Sequence, residues 1–284
     1  MPITTVIPVF NRAHVVGRAI ESVLAQELPS GYSLKVLVVD DGSSDDLSGA
    51  LLRFGRDVSC IRHAHNTGAS AARNTGIAAA EDGFVAFLDS DDVWLPGKLK
   101  LQLETMRHNG WLASCTAFYL ARSGRPDIVA PSYRGGTLGL ADFVWGCFVC
   151  PGSTLLSQRT LLDQVGPLDT GMRRLEDWDW MLRFAQRGDI GFISKPLGRK
   201  HLSDYRDQGE VAPALGLLRA KHETSLSRAD RRHFLAAVDM ELAATHYRNG
   251  SVLQMMIPCL RSMLRSPISN RVLAAVLHNR LARN

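Results

Sequence analysis

Cysteine is scarce in this sequence, at five residues in 284. An odd number of cysteines scattered through apolar stretches excludes a disulfide scaffold and is typical of reduced, buried thiols in a cytosolic protein. Cys147 and Cys150 form a CxxC pair, but no second pair or neighbouring histidine pair completes the ligand set of a zinc site. We therefore favour packing over metal or redox chemistry for these two thiols.

Long apolar runs are also missing. No uncharged stretch approaches the roughly 18 residues that a membrane span requires. The first residues, MPITTVIPVFNR, lack the basic segment of a signal peptide and carry Pro8 inside their apolar run. With 45% hydrophobic and 21% charged residues, the composition indicates a globular protein. We expect a cytoplasmic location.

Acidic residues are absent from the end of the chain, where residues 253–284 hold five arginines and no acid. Residues 1–206 and 207–252 each carry equal numbers of acidic and basic residues, so the net charge of +5 belongs entirely to the tail. A basic surface on the main body, which binding to nucleic acid would need, is not supported. We expect no nucleic-acid partner.

The first 110 residues contain a regular alternation of β-branched runs and helical periodicity. Strands are predicted over 3–10, 34–39, 58–62 and 84–88, and helices over 16–24, 46–54 and 69–80. This alternation indicates an α/β fold in which helices flank a mostly parallel central sheet.

The rest of the chain divides into a mixed region and a helical end. Further strands are predicted over 112–120 and 153–156, and a helix over 176–188. From residue 207 the pattern is wholly helical. We predict one α/β domain over 1–206 and an all-helical C-terminal extension over 207–284.

Two of the predicted strands end in carboxylates. Asp40 ends the second strand, and Asp89-Ser90-Asp91-Asp92 follows the fourth. Because ligands bind at the carboxyl ends of strands in open α/β sheets, we expect these acids to face one crevice. One or two carboxylates plus substrate phosphates commonly hold Mg²⁺ or Mn²⁺. Solvated loop acids are the competing interpretation for an isolated D-x-D.

Three other features have a structural and a functional interpretation. A turn explains Asp41-Gly42-Ser43, whereas Asp40 at the end of a buried strand needs a partner such as a nucleobase N–H. The small residues of 68–73 either pack a helix or open its first N–H groups to an anion. Residues 176–180, EDWDW, either complement a helix dipole with their acids and pack their tryptophans in the core, or provide a carboxylate general base beside aromatic side chains.

Six segments resemble a known family. They are VIPVFNR (6–12), VVDDGSSDD (38–46), NTGASAARNTGI (66–77), FLDSDDVW (87–94), GSTLLSQRTLLDQVGPLD (152–169) and EDWDW (176–180). In order and spacing over residues 1–206 the sequence resembles glycosyltransferase family 2. The resemblance implies the GT-A fold, a Rossmann-like architecture with a mostly parallel central sheet.

The resemblance also implies roles for individual residues. Donor binding falls to Pro8, Phe10, Arg12, Asp40, Gly68, Ala69, Arg73, Asp89 and Ser90. Phe10 would lie against a nucleobase whose imide N–H Asp40 accepts, which favours uracil. Asp91, with Asp89, would bind Mn²⁺ or Mg²⁺ at the diphosphate. His201 is a further candidate metal ligand, with an ordinary loop histidine as the alternative.

On the acceptor side, the resemblance implies that Asp177 is the catalytic base, with Glu176 as its neighbour. Trp178, Gly152 and Ser153 would face the acceptor. The implied reaction is an inverting transfer from a nucleotide-diphosphate sugar, favouring a UDP-sugar, to a hydroxyl of a saccharide or lipid-linked saccharide. The Q-x-x-R-W motif of processive relatives is absent, which predicts single transfers.

Two other function classes stay open. A non-catalytic sugar-nucleotide or carbohydrate-binding protein could share this fold, although the metal and base carboxylates are both present. A nucleotidyltransferase also uses metal-binding acids on an α/β sheet. It usually needs a glycine-rich basic loop after the first strand, whereas residues 8–14 contain no glycine and only one arginine.

The basic tail carries two apolar stripes. The first is Leu253, Met256, Ile257, Leu260 and Leu264, and the second is Ile268, Val272, Leu273, Val276 and Leu277. Pro258 is expected to kink or interrupt the first. Such an end is typical of peripheral contact with anionic lipid, here on the inner face of the membrane, and equally of a lid or homo-dimer surface.

Overall fold

The computed structural model of the chain describes residues 1–122, 124–201 and 211–266. Its strands are β1 (Pro2–Val9), β2 (Ser33–Asp40), β3 (Val58–Arg62), β4 (Phe84–Phe87), β5 (Val93–Trp94), β6 (Ala113–Arg122), β7 (Arg125–Ala130), β8 (Gly136–Leu138), β9 (Leu156–Gln158) and β10 (Ile190–His201). Its helices are α1 (Ala13–Leu24), α2 (Leu47–Leu51), α3 (Ala69–Ala79), α4 (Lys98–Asn109), α5 (Leu140–Phe143), α6 (Pro151–Thr154), α7 (Arg159–Val165), α8 (Glu176–Ala185), α9 (Val211–His222), α10 (Arg228–Arg248) and α11 (Val252–Arg265). A 3₁₀ segment, Leu52–Asp57, follows α2.

The strands form one mixed sheet in the order β3-β2-β1-β4-β9-β6-β10-β5, with β7 beside β6 and β8 beside β10. The first four strands of this order run parallel to one another. β9 is antiparallel to both of its neighbours, and β10 is parallel to β6. The carboxyl ends of β1, β2 and β4 therefore lie at one edge of the sheet, as the alternating pattern predicts.

Burial on both faces explains why the first strands read as continuous apolar runs. β1 is buried from Ile3 to Val9, and every residue of β4 is buried. Helix α1 turns an apolar stripe, which includes Val16 and Ile20, into the same core. These local patterns are strong, and the predicted strands and helices of the first 88 residues are confirmed within a few residues.

One later element was predicted wrongly, and two others were not predicted. The strand predicted over 153–156 is instead helix α6 followed by β9, because Pro151 at the start of α6 suits a helical first turn. Helix α4 was not predicted, because Lys98 and Gln102 occupy fully buried positions and break its apolar stripe. β10 was not predicted either, because Pro196 interrupts its pattern where the structure shifts its register against β6.

The described part of the C-terminal region is helical, as predicted. Helix α11 continues through Pro258, so the predicted interruption is wrong, while the alternative, a kink, stays a prediction. Gln254, whose carbonyl the proline leaves without a helical partner, is exposed, and water can satisfy it. The second apolar stripe lies outside the described residues. Across those residues, no helix combines the length and apolarity that crossing a bilayer requires.

The chain divides into two compact units. The first contains residues 1–137, 148–170 and the described part of 187–202, and the second contains 138–147, 171–186 and the described part of 203–284. Helix α8 thus belongs with α5 and the C-terminal helices, which the sequence did not indicate. The predicted boundary at 206/207 lies outside the described residues and stays a prediction.

Candidate active site

An acidic turn, residues 89–92, follows β4 in the first unit. The amide N–H of Asp92 donates to the carbonyl of Asp89 at 3.0 Å, which closes the turn. It stands at the sheet edge where β1 and β2 also end. Around it the structure brings together many of the sequence-predicted site residues: Arg12, Arg73, Asp89, Ser90, Asp91, Gly152, Ser153 and His201.

Asp92 is the buried member of the turn, with 1% of its surface exposed. Its carboxylate accepts the Ser153 hydroxyl at 2.6 Å and the backbone N–H of His201 at 2.8 Å, and the Lys200 ammonium lies at 3.4 Å. Burial raises the pKa of Asp92 to about 6, although Lys200 acts against the rise. The sequence assigned Asp92 no role. In the structure, Asp92 joins the acidic turn to α6 and β10.

Asp89 holds two cations. Its Oδ1 accepts Arg73 at 2.7 Å, and its Oδ2 lies 3.2 Å from the ammonium of Lys200. Burial alone would raise the pKa of Asp89, but Lys200 and Arg73 outweigh it and hold the pKa below its usual value. Both carboxylate oxygens therefore already face a positive group.

Asp91 is the carboxylate of the turn for which one exposed counterion is recorded. It accepts one guanidinium N–H from Arg12 at 2.6 Å, and the side chains of Asp91 and Arg12 are 21% and 36% exposed. An ion pair this exposed contributes on the order of 1 kcal/mol or less, so an incoming ligand can displace Arg12 at small cost. Asp91 is the acid here that is best able to take a new partner.

Gly152 and Ser153 support the turn from helix α6. A Cβ at Gly152 would lie 2.6 Å from Arg73 Nη2 and 2.9 Å from Asp89 Oδ1, so the ion pair needs glycine beside it. The Ser153 hydroxyl accepts the N–H of Asp89 at 3.2 Å while donating to Asp92. Both residues are buried. Their predicted acceptor role stays a prediction, and the structure shows them holding the acidic turn.

The predicted nucleobase residues lie at the ends of β1 and β2. Phe10 is 43% exposed, so its ring is free of the core, while Pro8 is buried. The carboxylate of Asp40 accepts the N–H of Ser43 at 2.8 Å through Oδ1, and Arg62 lies 3.4 Å from Oδ2. Both carboxylate oxygens of Asp40 thus have partners in the protein. The contact of Oδ2 with Arg62 is the longer one, so Oδ2 is the oxygen that could also accept a base N–H.

Asp41 organises the start of helix α3, a role that the sequence did not reveal. Its carboxylate accepts the N–H groups of Thr67 and Gly68, the latter at 2.7 Å, and contacts His63 at 2.7 Å. Burial favours a higher pKa, but these hydrogen bonds dominate and lower the pKa of Asp41. The Gly68 N–H, predicted to face an anion, is therefore already donated within the protein. Ala69, the first residue of α3, is exposed.

A buried lysine lies within the core of the first unit. Lys98 is fully buried, donates to Gln102 Oε1 at 2.6 Å and has its ammonium 4.1 Å from the Trp94 ring centre. Gln102 in turn donates to the carbonyl of Thr154, and the Trp94 indole donates to the carbonyl of Ser153. This network holds α6 by two of its carbonyls, whereas the Ser153 hydroxyl contacts the acidic turn. Burial lowers the pKa of Lys98 to about 7.

The acids of helix α8, in the second unit, have different surroundings. Asp179 is fully buried and accepts Arg183 at 2.8 Å, His222 at 2.9 Å and Lys221 at 3.0 Å. Burial opposes ionisation, but the hydrogen bonds from His222, Lys221 and Arg183 dominate and lower the pKa of Asp179. Asp179 therefore anchors α8 to the end of α9.

Glu176 and Asp177 are half-buried at the first two positions of α8, where the N-cap Leu175 takes a φ of 61°. Of the two interpretations of Trp178, the core position is confirmed and the acceptor-facing role is wrong. Its indole is 3% exposed, donates to the carbonyl of Phe143 at 2.7 Å and packs edge-on against Phe234. Such a side chain is part of the core of its unit and does not present a face to an acceptor sugar.

The predicted divalent cation can be tested against these donors. Asp91 fits, because it offers carboxylate oxygen and has one exposed counterion. Asp89 does not fit while Arg73 and Lys200 occupy its oxygens. His201 Nδ1 is buried and has no hydrogen-bond partner in the described residues, so it fits as a second, weaker candidate ligand. Those residues contain no cluster of three side chains able to form a complete metal cage.

Solved structures place the fold in a known class. S. aureus TarS (residues 1–349), solved in complex with UDP-GlcNAc, matches with a TM-score of 0.71 and 18% sequence identity. The match covers 100% of this chain and 87% of that one. The fold is the GT-A fold of glycosyltransferases.

The family follows from the sequence: the model described as "Glycosyl transferase family 2" matches residues 4–166, and the chain belongs to this family. An uncharacterized glycosyltransferase of Rickettsia felis is 33% identical over 205 residues, which are 71% of this chain and 33% of the relative. The chain thus spans about a third of the length of that curated relative. Escherichia coli WfgD, named a UDP-Glc:alpha-D-GlcNAc-diphosphoundecaprenol beta-1,3-glucosyltransferase, is 35% identical over 108 residues, 38% of this chain and 42% of that protein.

The lowered pKa of Lys98 predicts a specific pH dependence of stability. The unfolded chain keeps this proton up to about pH 10.5, whereas the folded protein releases it near pH 7. The destabilising contribution is therefore complete below pH 7 and declines as the pH rises, by up to about 1.4 kcal/mol per pH unit. Lys98→Met should remove this slope from the unfolding free energy measured with urea at pH 7, 8 and 9.

Lys100→Met is the matched control, because Lys100 lies on the same helix with a half-exposed side chain. It should keep the wild-type slope. Equal slopes in the wild type and in Lys98→Met would contradict the lowered pKa.

Proposed function

We propose that this chain is an inverting, non-processive glycosyltransferase. It transfers a sugar from a UDP-sugar to a hydroxyl of a saccharide or lipid-linked saccharide. The observation that carries the proposal is the acidic turn at the carboxyl ends of parallel strands, in which Asp91 has one exposed counterion while Arg73 and Lys200 are held beside it by Asp89. That arrangement suits a negatively charged diphosphate better than a neutral ligand.

Uridine as the donor nucleoside is supported by Phe10 and Asp40. The exposed Phe10 ring offers a stacking surface, and Asp40 offers a carboxylate at the end of the neighbouring strand. The printed names of relatives agree, since WfgD is named for UDP-Glc and TarS was solved with UDP-GlcNAc. The chain spans only part of the length of its first curated relatives, so the identity of the donor is put forward as a proposal.

The proposed cofactor is Mn²⁺ or Mg²⁺. Asp91 would hold it, with His201 Nδ1 as the second candidate and the donor phosphates as the remaining ligands. When bound, the cation supplies positive charge that stabilises the leaving nucleoside diphosphate. Arg12, released from Asp91, would then be available to the same diphosphate.

Asp177 is the proposed catalytic base. Among the acids in the first turn of α8, Asp179 is excluded because Arg183, Lys221 and the imidazole of His222 already occupy its carboxylate. Glu176 and Asp177 are half-buried and remain candidates. We assign the base to Asp177, with Glu176 as its neighbour. It would remove the proton of the acceptor hydroxyl during a single displacement that inverts the anomeric carbon.

Peripheral membrane contact is proposed through helix α11. Its outer face exposes seven large apolar side chains: Val252, Leu253, Met256, Ile257, Leu260, Met263 and Leu264. From residue 253 onward the sequence is basic and contains no acid. An apolar face beside excess positive charge is typical of binding to anionic lipid, where a lipid-linked acceptor would reside. A homo-dimer through the same face is the competing arrangement.

Asp177→Asn tests the base. Transfer, measured as UDP release from a panel of UDP-sugars with Mn²⁺ and candidate acceptors, should fall about 10²- to 10⁴-fold because the acceptor proton has no base to receive it. UDP affinity, measured by calorimetry, should change less than about twofold. Asp189→Asn, in the exposed loop after α8, should leave both quantities unchanged.

Equal losses of turnover and UDP affinity in Asp177→Asn would remove this residue from the base role. Release of pyrophosphate in place of UDP would favour a nucleotidyltransferase. UDP binding without turnover on any donor would favour a non-catalytic binding protein.

Asp91→Ala tests the metal site. In the wild type, Mn²⁺ should strengthen UDP binding by about tenfold or more, because the cation links the protein to the diphosphate. The variant should bind UDP with the same affinity in Mn²⁺ as in EDTA. Asp82→Ala, an exposed acid just before β4, should keep the Mn²⁺ effect. An unchanged Mn²⁺ effect in Asp91→Ala would place the cation elsewhere.

The double variant Leu253→Glu/Leu264→Glu tests membrane contact. These side chains are 82% and 73% exposed, so the fold should tolerate both changes. Flotation with vesicles rich in anionic lipid should be lost, while the control Leu52→Glu/Leu217→Glu floats like the wild type. If the α11 variant floats equally, the membrane proposal fails. A shift from dimer to monomer in sedimentation would then support the dimer.

A further inference from the structure

Lys200 is a cation at the acidic turn that belongs to none of the sequence motifs. It lies next to the last residue of β10. Its ammonium is 3.2 Å from Asp89 Oδ2 and 3.4 Å from Asp92 Oδ2, and so reaches both ends of the turn that carries Asp91. No local pattern marks this lysine, because β10 itself is irregular around Pro196.

Each carboxylate that Lys200 contacts has a shorter contact elsewhere. Asp89 has Arg73 at 2.7 Å, and Asp92 has the hydroxyl of Ser153 at 2.6 Å. Lys200 is therefore the longer-range partner of both acids. The ammonium is therefore held between two carboxylates without being the closest partner of either.

Lys200 is also the more accessible of the two cations on Asp89. Its side chain is 27% exposed, compared with 6% for Arg73. Asp92, beneath it, is 1% exposed. An anion that approaches the turn from solvent can therefore reach the ammonium of Lys200 more easily than the guanidinium of Arg73.

We propose that Lys200 binds the diphosphate of the donor and that Asp89 and Asp92 are positioning residues that hold it there. The inference rests on the proposed function, because it adds a residue to the same donor site. Two carboxylates fix the ammonium before the donor arrives, so binding costs little side-chain freedom. Asp89 then acts as the holder of Arg73 and Lys200 and is not a metal ligand.

Titration calorimetry on Lys200→Met, with UDP, uridine and inorganic pyrophosphate in EDTA buffer, tests this directly. Loss of a charged hydrogen-bond donor should weaken UDP and pyrophosphate binding roughly tenfold or more. Uridine affinity should stay unchanged, because it carries no phosphate. Lys200→Arg should restore much of the UDP affinity. Lys195→Met, an exposed lysine on the same strand, is the matched control and should bind all three ligands like the wild type.

Two outcomes would overturn the role of Lys200 in binding the diphosphate. A lysine that merely neutralises buried acids would, when removed, change UDP and uridine affinity by the same factor, and this would overturn the proposal. Unchanged UDP and pyrophosphate affinity in Lys200→Met would also overturn it. Lys200→Met/Asp92→Asn keeps the charge balance, and its UDP-specific loss should persist if the single variant folds poorly.

The failure of this inference is distinguishable from failure of the proposed function. If the wild type binds no UDP in EDTA or Mn²⁺, the donor assignment fails, and the pyrophosphate arm still decides the role of Lys200. If pyrophosphate does not bind the wild type either, the Lys200 proposal fails as well. Asp89→Asn adds a second readout: it should weaken UDP binding in EDTA but retain the strengthening by Mn²⁺.

Discussion

Asp92 is a carboxylate withdrawn from water, and the surroundings of the acidic turn follow from the need to compensate it. A buried charge without partners costs several kcal/mol, so it must be met by donors from the protein. The hydroxyl of Ser153, the backbone of His201 and the ammonium of Lys200 meet this need. They come from α6 and β10, so the compensation joins distant segments at one turn. Asp91 is thereby held on a rigid support while staying accessible.

The support extends into the core through a second polar network. Lys98 and Gln102 are fully buried, which opposes stability unless every polar group finds a partner. Their bonds reach the carbonyl of Thr154, and Trp94 holds the carbonyl of Ser153. Helix α6 has four residues and could not keep its place through its own hydrogen bonds alone. Core polar groups therefore define the position of α6, and through Ser153 that of the acidic turn.

Local sequence was sufficient where the hydrophobic pattern has the same period as the strand or helix that forms. The parallel strands of the first unit, the start of α3 and the start of α8 were predicted because alternation and helix-start signals lie within a few residues of each other. Local pattern could not decide the role of Trp178, because a tryptophan beside acids suits both a core position and an acceptor site. The residues that contact its indole, Phe143 and Phe234, are distant in sequence.

By itself, the sequence determined the α/β architecture, the family and the placing of carboxylates at strand ends, because each is written in contiguous residues or in their order. Tertiary structure decided what each carboxylate does. The partners of the acidic turn lie 79 residues away for Arg12 and Asp91, and 111 for Lys200 and Asp89. Neither periodicity nor spacing encodes such pairs. Burial then separates Asp92 from Asp91, since neighbouring residues in a turn face different surroundings once the chain has folded.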